Sequence, residues 1–503
     1  MSRARRGPVG TRSIRSARLT APLAAAALLA GGLGSLALTA TPAAAATGSV
    51  EAGDDFNGDG YADLVVGAPD ATVSGAAKAG YVAVTYGSAD GVSTAHKNHK
   101  VISRSSSGIP GAAIAKQRFG ATFTKADLDR DGYGDLVIAG GEAGSVVLWG
   151  SSSGLTGGTK IAGYGSTPEA GDFDGDGKTD LALFATASVH GDDPEGSPAT
   201  IWKGPISRAG TPASTMNILD PSEWWGYPED DETCATGGGC EDGPDSITGP
   251  SRSGQVGDVN GDGKDDLVQW TYGGDGVWGN RILYGNASGF KRGFVPGDGT
   301  GGTPGTGIGD VNGDGYDDVV VGGDDWDPKV RVAYGSASGL SEANTKSFDQ
   351  SLPGFPGAEE EGDGLGSAVS VADVTGDGYA DIALGISGED VGDVADAGSF
   401  ALVPGGPSGV TGAGTQVFHQ NTAGVPGAVE AGDAFGAATA LLDVDGDGHR
   451  DLAVSSIAEN DQNGAVWVLR GASTGLTTSG AKSFGGADLG APATDAHFGA
   501  WLR

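Results

Sequence analysis

Short apolar runs rich in Val, Ile and Leu recur along the chain, and each is bounded by glycine or by polar residues. Leu64–Val66, Leu136–Ile138, Val319–Val321 and Leu452–Val454 are examples. Runs of this length are too short for helices and are typical of buried strands. Segments in which apolar and polar residues alternate, such as Val330–Ala333, follow some of them. The pattern therefore predicts an all-β chain built from many short strands.

An acidic loop with a fixed spacing precedes each of seven such runs. It reads Asp-x-Asn-x-Asp-Gly-x-x-Asp, with aspartate in place of asparagine in three copies and Thr375 in one. A single copy would be a weak motif match, but many copies indicate a repeat protein in which each repeat is one structural unit. The loops begin at Asp55, Asp127, Asp172, Asp258, Asp310, Asp373 and Asp443.

The oxygen-rich positions of this loop suit Ca²⁺, which takes about six to eight oxygen ligands. An EF-hand starts in the same way but needs a glutamate at its twelfth position and a helix on each side; no copy has that glutamate. Ordinary Asp-Gly turns do not need so many carboxylates at fixed offsets. We therefore interpret each repeat as a strand–calcium loop–strand unit, with up to seven Ca²⁺ in the chain. The predicted ligands, with a backbone carbonyl at the seventh loop position, are Asp55, Asn57, Asp59, Tyr61, Asp63, Asp127, Asp129, Asp131, Tyr133, Asp135, Asp172, Asp174, Asp176, Lys178, Asp180, Asp258, Asn260, Asp262, Lys264, Asp266, Asp310, Asn312, Asp314, Tyr316, Asp318, Asp373, Thr375, Asp377, Tyr379, Asp381, Asp443, Asp445, Asp447, His449 and Asp451.

The charge of the chain agrees with a cation-binding protein. It has 30 basic and 65 acidic residues, a formal net charge of −35. Without a cation, the carboxylates of each loop repel one another, so Ca²⁺ should stabilise the folded chain by binding it better than the unfolded chain. The same negative charge disfavours nucleic acid as a partner.

Residues 1–46 have the pattern of a secretory signal peptide: arginines, then an apolar stretch from about Ala21 to Ala40, then the small residues Ala43–Ala46. The alternative is a transmembrane anchor, but the richness in Ala and Gly and the small-residue end favour cleavage. The sequence thus predicts a secreted, extracellular protein that comprises residues 47–503. We also expect no membrane span after cleavage, and a monomer.

Two cysteines, Cys234 and Cys240, lie in a glycine-rich segment. In an oxidising compartment this spacing favours a local disulfide. The alternative is a pair of metal ligands, but no second pair of cysteines or histidines lies nearby.

Two further signatures divide each repeat into four strands. An aromatic–glycine pair ends the third strand at Tyr86-Gly87, Trp149-Gly150, Tyr284-Gly285 and Tyr334-Gly335, with looser versions at Pro404-Gly405 and Arg470-Gly471. An eleven-residue lead ending in Phe-Gly or Leu-Gly precedes the loop at Pro110–Gly120, Pro356–Gly366 and Pro426–Gly436. Four-stranded units repeated radially form a β-propeller. The predicted fold is a seven-bladed β-propeller of four-stranded blades, with the calcium loop between the first and second strands.

The ends of the chain predict how the ring closes. The first repeat lacks the Phe-Gly lead, and Gly490–Gly499 carries an orphan copy of it. We therefore expect the C-terminal strand to complete blade one. Such closure removes an open sheet edge that would favour aggregation.

The Phe-Gly lead, the acidic loop and the segment Val66-Gly67-Ala68-Pro69 together resemble the FG-GAP repeat of integrin α-chain propellers and of bacterial secreted proteins. The resemblance covers about residues 50–503 and implies a calcium-binding propeller. Only the first repeat keeps Gly-Ala-Pro, and repeats three to five lack a clear Phe-Gly. No Arg-Gly-Asp and no Asp-x-Ser-x-Ser occurs, so integrin-type ligand chemistry is not implied.

A long insertion, Asp220–Pro250, separates the third and fourth blades and is expected on the face opposite the calcium loops. It contains aromatic residues, and neighbouring loops between second and third strands add others. Exposed aromatic loop residues often bind sugars or peptides; the alternative is that they pack the insertion onto the propeller. The candidate ligand-binding residues are Trp224, Trp225, Tyr227, Trp278 and Trp326.

No catalytic residue can be identified. Gly150–Gly154 and Gly471–Gly475 match the hydrolase nucleophile elbow, but both fall in turns between strands rather than between a strand and a helix. The leading hypothesis is a non-catalytic binding or adhesion module for an extracellular glycan or protein. One alternative is an extracellular hydrolase or lyase acting on polysaccharide or phosphoester at the propeller mouth, and another is a scaffold with no ligand beyond calcium.

Overall fold

A computed structural model describes residues 50, 52–187, 189–190, 192–226, 234, 240–297, 299–324 and 327–503. They all belong to one compact unit, Ala43–Arg503. The predicted signal peptide, Tyr227 and Trp326 lie outside the described residues. Within the described part of the chain, no helix has the length and apolar character needed to cross a membrane.

The described residues form thirty β-strands. Blades one and two contain β1 (Leu64–Ala68), β2 (Tyr81–Thr85), β3 (His99–Ile102), β4 (Phe123–Ala126), β5 (Asp135–Ile138), β6 (Ser145–Trp149) and β7 (Thr156–Ile161). Blade three contains β8 (Glu169–Gly171), β9 (Asp180–Phe184), β10 (Val189–His190), β11 (Asp193–Lys203), β12 (Ser214–Met216) and β13 (Ser246–Gly249). Blades four and five contain β14 (Ser251–Gly257), β15 (Asp266–Gly274), β16 (Val277–Tyr284), β17 (Lys291–Gly293), β18 (Thr306–Gly309), β19 (Asp318–Val321), β20 (Val330–Ala333) and β21 (Thr345–Phe348).

The last two blades follow the same plan. They contain β22 (Leu365–Ala372), β23 (Asp381–Ile386), β24 (Ser399–Val403), β25 (Gln416–Phe418), β26 (Phe435–Leu442), β27 (Asp451–Ser456), β28 (Ala465–Arg470) and β29 (Thr477–Gly485), and β30 (Trp501–Leu502) ends the chain. The described helical turns are short: His96–Asn98, Gly141–Ala143, Pro221–Glu223, Glu342–Asn344, Glu459–Gln462 and Gly486–Leu489.

The strands form seven antiparallel sheets, of which six have four strands. Five of these six are simple meanders, such as β14-β15-β16-β17, and the sixth has the order β3-β2-β1-β30. The third sheet is larger because β10 and β13 also pair with β11. The first strand of each sheet lines a central channel. The predicted seven-bladed, four-stranded propeller is therefore confirmed.

Blade one is completed by the C-terminal strand, as the orphan lead predicts. β30 pairs with β1 through Val66 with Leu502 and Gly67 with Trp501. The backbone of Arg503 exchanges two further hydrogen bonds with Val65, of 2.7 and 3.2 Å. The ring is thus closed by hydrogen bonds between residues from the two ends of the propeller.

The Phe-Gly pair packs neighbouring blades against each other. Phe119, Phe435 and Phe498 are fully buried, and each contributes about 1.5–3 kcal/mol of hydrophobic stabilisation. The following glycine is required by a close backbone approach: a Cβ on Gly436 would lie 2.2 Å from the carbonyl oxygen of Ser399. The pair therefore joins one blade to its neighbour.

Candidate calcium loops and neighbouring surfaces

The first aspartate of each loop folds the loop around its own carboxylate. In the fourth loop, Asp258 Oδ1 accepts from the backbone N–H groups of Gly261 and Asp262, at 2.7 and 3.1 Å, and Oδ2 accepts from Gly263 at 2.8 Å. The same contacts recur in the fifth loop around Asp310. Asp-rich turns favour such side chain–backbone bonds, so the loop geometry follows from its local sequence.

The last aspartate of each loop is buried and ties the loop to a distant turn. Asp63 is fully buried; its Oδ2 accepts from Phe56 N at 2.8 Å and its Oδ1 accepts from Gly87 N at 3.0 Å. The equivalent aspartates accept from a glycine in every blade, at 2.8 to 3.1 Å. These glycines are Gly87, Gly150, Gly204, Gly285, Gly335, Gly405 and Gly471.

This contact explains the aromatic–glycine signature. A Cβ on Gly150 would lie 2.2 Å from the Gly134 carbonyl oxygen, and a Cβ on Gly204 would lie 2.1 Å from that of Thr179. The glycine is therefore needed because the turn lies directly against the loop. Gly204 is not identified in the sequence analysis because a lysine precedes it. The distance from the terminal aspartate to the glycine varies from 15 residues (Asp135 to Gly150) to 24 residues (Asp180 to Gly204), so spacing alone would not have identified it.

Burial raises the pKa of all seven terminal aspartates. It raises the pKa to about 8 for Asp63, Asp266 and Asp318, and to about 7 for Asp135, Asp180 and Asp451. The pKa of Asp381 rises to about 6 for the same reason. The other loop carboxylates add to the shift by repulsion, whereas backbone hydrogen bonds oppose it. A cation in the loop would favour the ionised form of these carboxyls.

The residues present fit a calcium ion. In the second, third and seventh loops, carboxylate oxygens from the first, third and ninth positions lie within 4.8 Å of one another. Several of these loop oxygens are buried and have no hydrogen-bond partner: Asp129 Oδ1, Asp180 Oδ2, Thr375 Oγ1 and Asp445 Oδ1. Hard oxygen donors in an irregular loop are the ligands that Ca²⁺ takes. When bound, the ion would neutralise the carboxylates and hold the loop closed.

A basic side chain accompanies the extra aspartate in the three loops that have Asp at the third position. Arg208 Nε lies 2.6 Å from Asp129, and Arg470 Nη1 lies 2.8 Å from Asp445. Lys203 contacts Asp174. The extra carboxylate of each of these loops is therefore paired with a basic side chain.

Neighbouring loops contact one another around most of the ring. The ring of Tyr133, at the seventh position of its loop, packs against Gly58 of the preceding loop. A Cβ on Gly58 would lie 2.6 Å from this ring. Tyr316, Tyr379, His449 and Tyr61 take the same place against Gly261, Gly313, Gly376 and Gly446. The last of these contacts joins the seventh loop to the first. The side chains at this position thus link the loops, while their carbonyls remain the predicted ligands.

The described part of the insertion packs against β17, the outer strand of blade four. Arg292 Nη2 lies 2.8 Å from a carboxylate oxygen of Asp242, and the backbones of Asp242 and Trp225 exchange two hydrogen bonds. Cys234 and Cys240 form a disulfide. The Trp224 Nε1 donates to the Leu219 carbonyl at 3.1 Å, and its ring packs on the core. The side chain of Trp225 is 52% exposed.

Trp278 is not on a loop, contrary to the sequence prediction. It lies in β16, opposite Tyr272 of β15, and the two rings are 5.5 Å apart. The β15–β16 hairpin extends further than predicted because this pair packs across it and Asp192 accepts from Tyr272 Oη and Asp275 N near its end. The guanidinium of Arg252 lies 4.9 Å from the Trp278 ring centroid.

The central channel holds a cavity of about 520 Å³ whose walls mix apolar side chains with polar and charged ones. Lys125 on its wall pairs with Asp54 at 2.6 Å, and Arg503 pairs with the buried Glu169 at 2.8 Å. Arg252 also lines the cavity, donates to Thr303 Oγ1 at 2.7 Å, and has no acidic partner among the residues that the structure describes. The channel therefore offers one unneutralised cation to a ligand.

The chain is similar to two curated proteins over part of its length. It is 27% identical over 205 residues to phosphatidylinositol-glycan-specific phospholipase D of Rattus norvegicus, a match that covers 36% of this chain and 24% of the rat protein. The mouse (Mus musculus) protein of the same name is 29% identical over 169 residues, covering 30% of this chain and 20% of that protein. The chain thus spans about a quarter or less of these relatives.

The solved structures to which the chain is similar are distant. An Agrocybe aegerita lectin, described as recognising non-reducing terminal N-acetylglucosamine, superposes with a TM-score of 0.40 at 17% identity, covering 75% of this chain and 81% of that one. BBS1N in complex with ARL6DN gives a TM-score of 0.36 at 14% identity, covering 72% and 80%.

Two family descriptions match the chain directly. The FG-GAP repeat matches residues 46–85, 365–403 and 435–469, and the FG-GAP-like repeat matches residues 127–183. These matches include the acidic loops of blades one, two, three, six and seven. Blades four and five have the same four-stranded form and the same bond from loop aspartate to glycine. The chain therefore contains FG-GAP repeats in these segments and folds as a seven-bladed β-propeller.

Proposed function

We propose that this protein is a secreted, calcium-stabilised β-propeller that acts as a non-catalytic binding or adhesion module for an extracellular glycan or protein. The observation that carries the calcium part is the loop repeated seven times, whose terminal aspartate is buried in every copy. In several copies further carboxylates lie close to it and loop oxygens have no hydrogen-bond partner. Carboxylates in this arrangement are costly in the folded chain unless a cation or protons compensate them.

Calcium-dependent stability tests the first part. The mature chain, residues 47–503, should melt at a clearly higher temperature with about 2 mM Ca²⁺ than with excess EGTA. Native mass spectrometry should count at least six bound ions. Equal melting temperatures and no bound calcium would show that the loops are ordinary turns and would contradict this proposal.

The ligand part rests on Trp225, whose exposed ring stands next to the disulfide-closed segment. Amphipathic aromatic rings are frequent anchors in binding sites. Trp225→Ala should weaken binding to a glycan array or to cell-surface material by about tenfold, the order expected for one binding anchor. Phe294→Ala, which changes another exposed aromatic residue, is the matched control and should bind normally. Equal binding by both variants would contradict this assignment.

The hydrolase or lyase alternative has one observation in its favour, the unneutralised Arg252 at the channel. A cation in a partly enclosed cavity attracts phosphoesters and acidic sugars. Turnover of any polysaccharide or phosphoester in a substrate panel, lost in Arg252→Ala, would favour this reading over the binding module. Absence of turnover together with saturable binding would favour the binding module.

A further inference from the structure

Blade seven carries a second acidic cluster at the end opposite its calcium loop. Glu430 and Asp433 precede β26, and Glu459 follows β27, so all three lie where the first strand begins and the second strand ends. One carboxylate oxygen of each lies within 4.8 Å of the others. β26 has eight residues, which separates this cluster from the calcium loop by roughly 25 Å.

A buried amide points into this cluster and is only half satisfied. Gln420 is 2% exposed, and its Nε2 donates to Glu459 Oε2 at 2.7 Å. The Oε1 of the same amide is buried and has no hydrogen-bond partner. Turning the amide by half a revolution exchanges its two polar atoms. The side chain can therefore either donate to Glu459 or present a carbonyl oxygen to a cation held by the carboxylates.

Blade six has the same four residue types at the corresponding positions, although its three carboxylates do not all lie within 4.8 Å of one another. Gln350 is 3% exposed, its Nε2 donates to Glu389 Oε2 at 3.0 Å, and its Oε1 is again buried without a partner. Asp363 Oδ2 accepts from the Glu360 backbone N–H at 2.8 Å, as Asp433 does from Glu430 at 3.1 Å. Two blades thus place three carboxylates and one half-satisfied glutamine at the same point.

The four residues occur together or are absent together. In blades one and two, the two other blades that share the lead, no acid stands at any of these positions. The corresponding residues are Ser483, Ala493, Ala496 and Ala71 in blade one, and Arg104, Ile114, Gln117 and Ala143 in blade two. A fold requirement would apply to all four blades, so the set serves something that blades six and seven have in common.

Protein cations do not compensate these acids. In the described part of the chain, no Lys, Arg or His forms an ion pair with Glu430, Asp433 or Glu459, and the neighbouring groups that influence Glu459 are Gln420 and the other two acids. The nearby carboxylate of blade one is different: Asp70 contacts Lys78, Arg118 and His497. Blades six and seven therefore leave a negative charge that an external cation would neutralise.

We propose that each of these two clusters binds a divalent cation of the Ca²⁺ class, separately from the seven loops. Blade seven would supply Glu430, Asp433, Glu459 and the Gln420 carbonyl, and blade six would supply Glu360, Asp363, Glu389 and the Gln350 carbonyl. Carboxylates and one amide oxygen are hard ligands that suit Ca²⁺. Each ion would fasten the loop after the second strand to the lead of the same blade.

Ion counting tests this proposal on the mature protein. Equilibrium dialysis against Ca²⁺ should show two fewer ions per chain for Glu389→Gln/Glu459→Gln than for the wild type, and one fewer for each single variant. Glutamine keeps the side-chain size and removes repulsion, so the variants should fold, which circular dichroism would verify. Glu361→Gln, next to Glu360 but outside the four-residue set, is the matched control and should bind as many ions as the wild type.

An identical ion count for wild type and double variant would overturn the proposal. Should the double variant fold poorly, anomalous diffraction from wild-type crystals soaked in Tb³⁺ decides the matter: peaks at both clusters support it, and peaks confined to the loops contradict it. The result is independent of the loops. If the loops bound no calcium, the wild type would still hold two ions that the double variant loses.

Discussion

At the scale of single residues, the fold depends on a pair repeated in every blade: a buried aspartate and the glycine that donates to it. Removal of the aspartate and removal of the glycine destabilise the fold in different ways. Without the aspartate, the glycine N–H is left buried and unsatisfied, which costs about 1–3 kcal/mol. Without the glycine, the new side chain collides with a carbonyl oxygen. The calcium loop and the outer turn of a blade therefore depend on each other.

Two neighbouring glycines allow a matched test of this pair. A Cβ on Gly405 would lie 2.3 Å from the Ala380 carbonyl oxygen, whereas nothing lies within 4 Å of one on Gly406. Gly405→Ala should lower the free energy of unfolding by roughly 3 kcal/mol, and Gly406→Ala should change it by less than about 0.5 kcal/mol. Chemical denaturation measures both, and equal effects would show that the close approach is not what selects glycine.

The residue scale also shows what a sequence can and cannot reveal. The acidic loops and the disulfide were predictable because the residues that form each of them are close in sequence. The different environments of Trp224 and Trp225 were not, because neighbouring side chains of an extended segment point opposite ways and the surface that covers one comes from elsewhere. The position of Trp278 was predicted wrongly because a contact with Asp192, from another blade, extends the hairpin that contains Trp278. The ion pairs of Arg208 and the glutamine clusters likewise depend on contacts between separate parts of the chain.

At the scale of elements, a two-residue strand has a large effect. β30 has two residues, but Leu502 is buried and its backbone pairs with β1. The number, order and closure of the blades could all be predicted, since strand periodicity and the orphan lead are properties of the repeat itself. The additional strands β10 and β13 could not, because they belong to no repeat.

Removal of residues 501–503 should destabilise the propeller by about 2–5 kcal/mol, the usual loss for emptying the site of a large buried side chain. It should also promote aggregation, because β1 becomes an open edge. Thermal unfolding and light scattering would show both effects. A synthetic peptide of residues 490–503 should restore stability in trans. Unchanged unfolding of the truncated chain would mean that β30 is not needed for closure.

At the scale of the whole molecule, the loops determine how stability depends on pH. In the calcium-free protein the terminal aspartates have folded-state pKa values of about 6 to 8, against an ordinary value of 3.8. The folded chain then binds more protons than the unfolded chain between these values. Their contribution to stability is complete below about pH 4 and is lost as the pH rises to about 8.

Denaturant unfolding in EGTA should therefore give a free energy of unfolding that falls between pH 5 and pH 8. With saturating Ca²⁺ the fall should be smaller, because the ion binds the ionised form. Asp318→Asn should reduce the slope in EGTA, since it removes one of the groups that titrate. A calcium-free protein that gains stability over this range would contradict the assignment of these pKa values to burial.

The closing contact between β30 and β1 also bears on how such a ring can evolve. Because the first strand of blade one comes from the C-terminal end, the boundaries of the sequence repeats and of the blades differ by one strand. A gene duplication or deletion of one internal repeat therefore adds or removes four strands while the closing pair stays intact. Changes in blade number can then occur without an intermediate whose ring has two open edges.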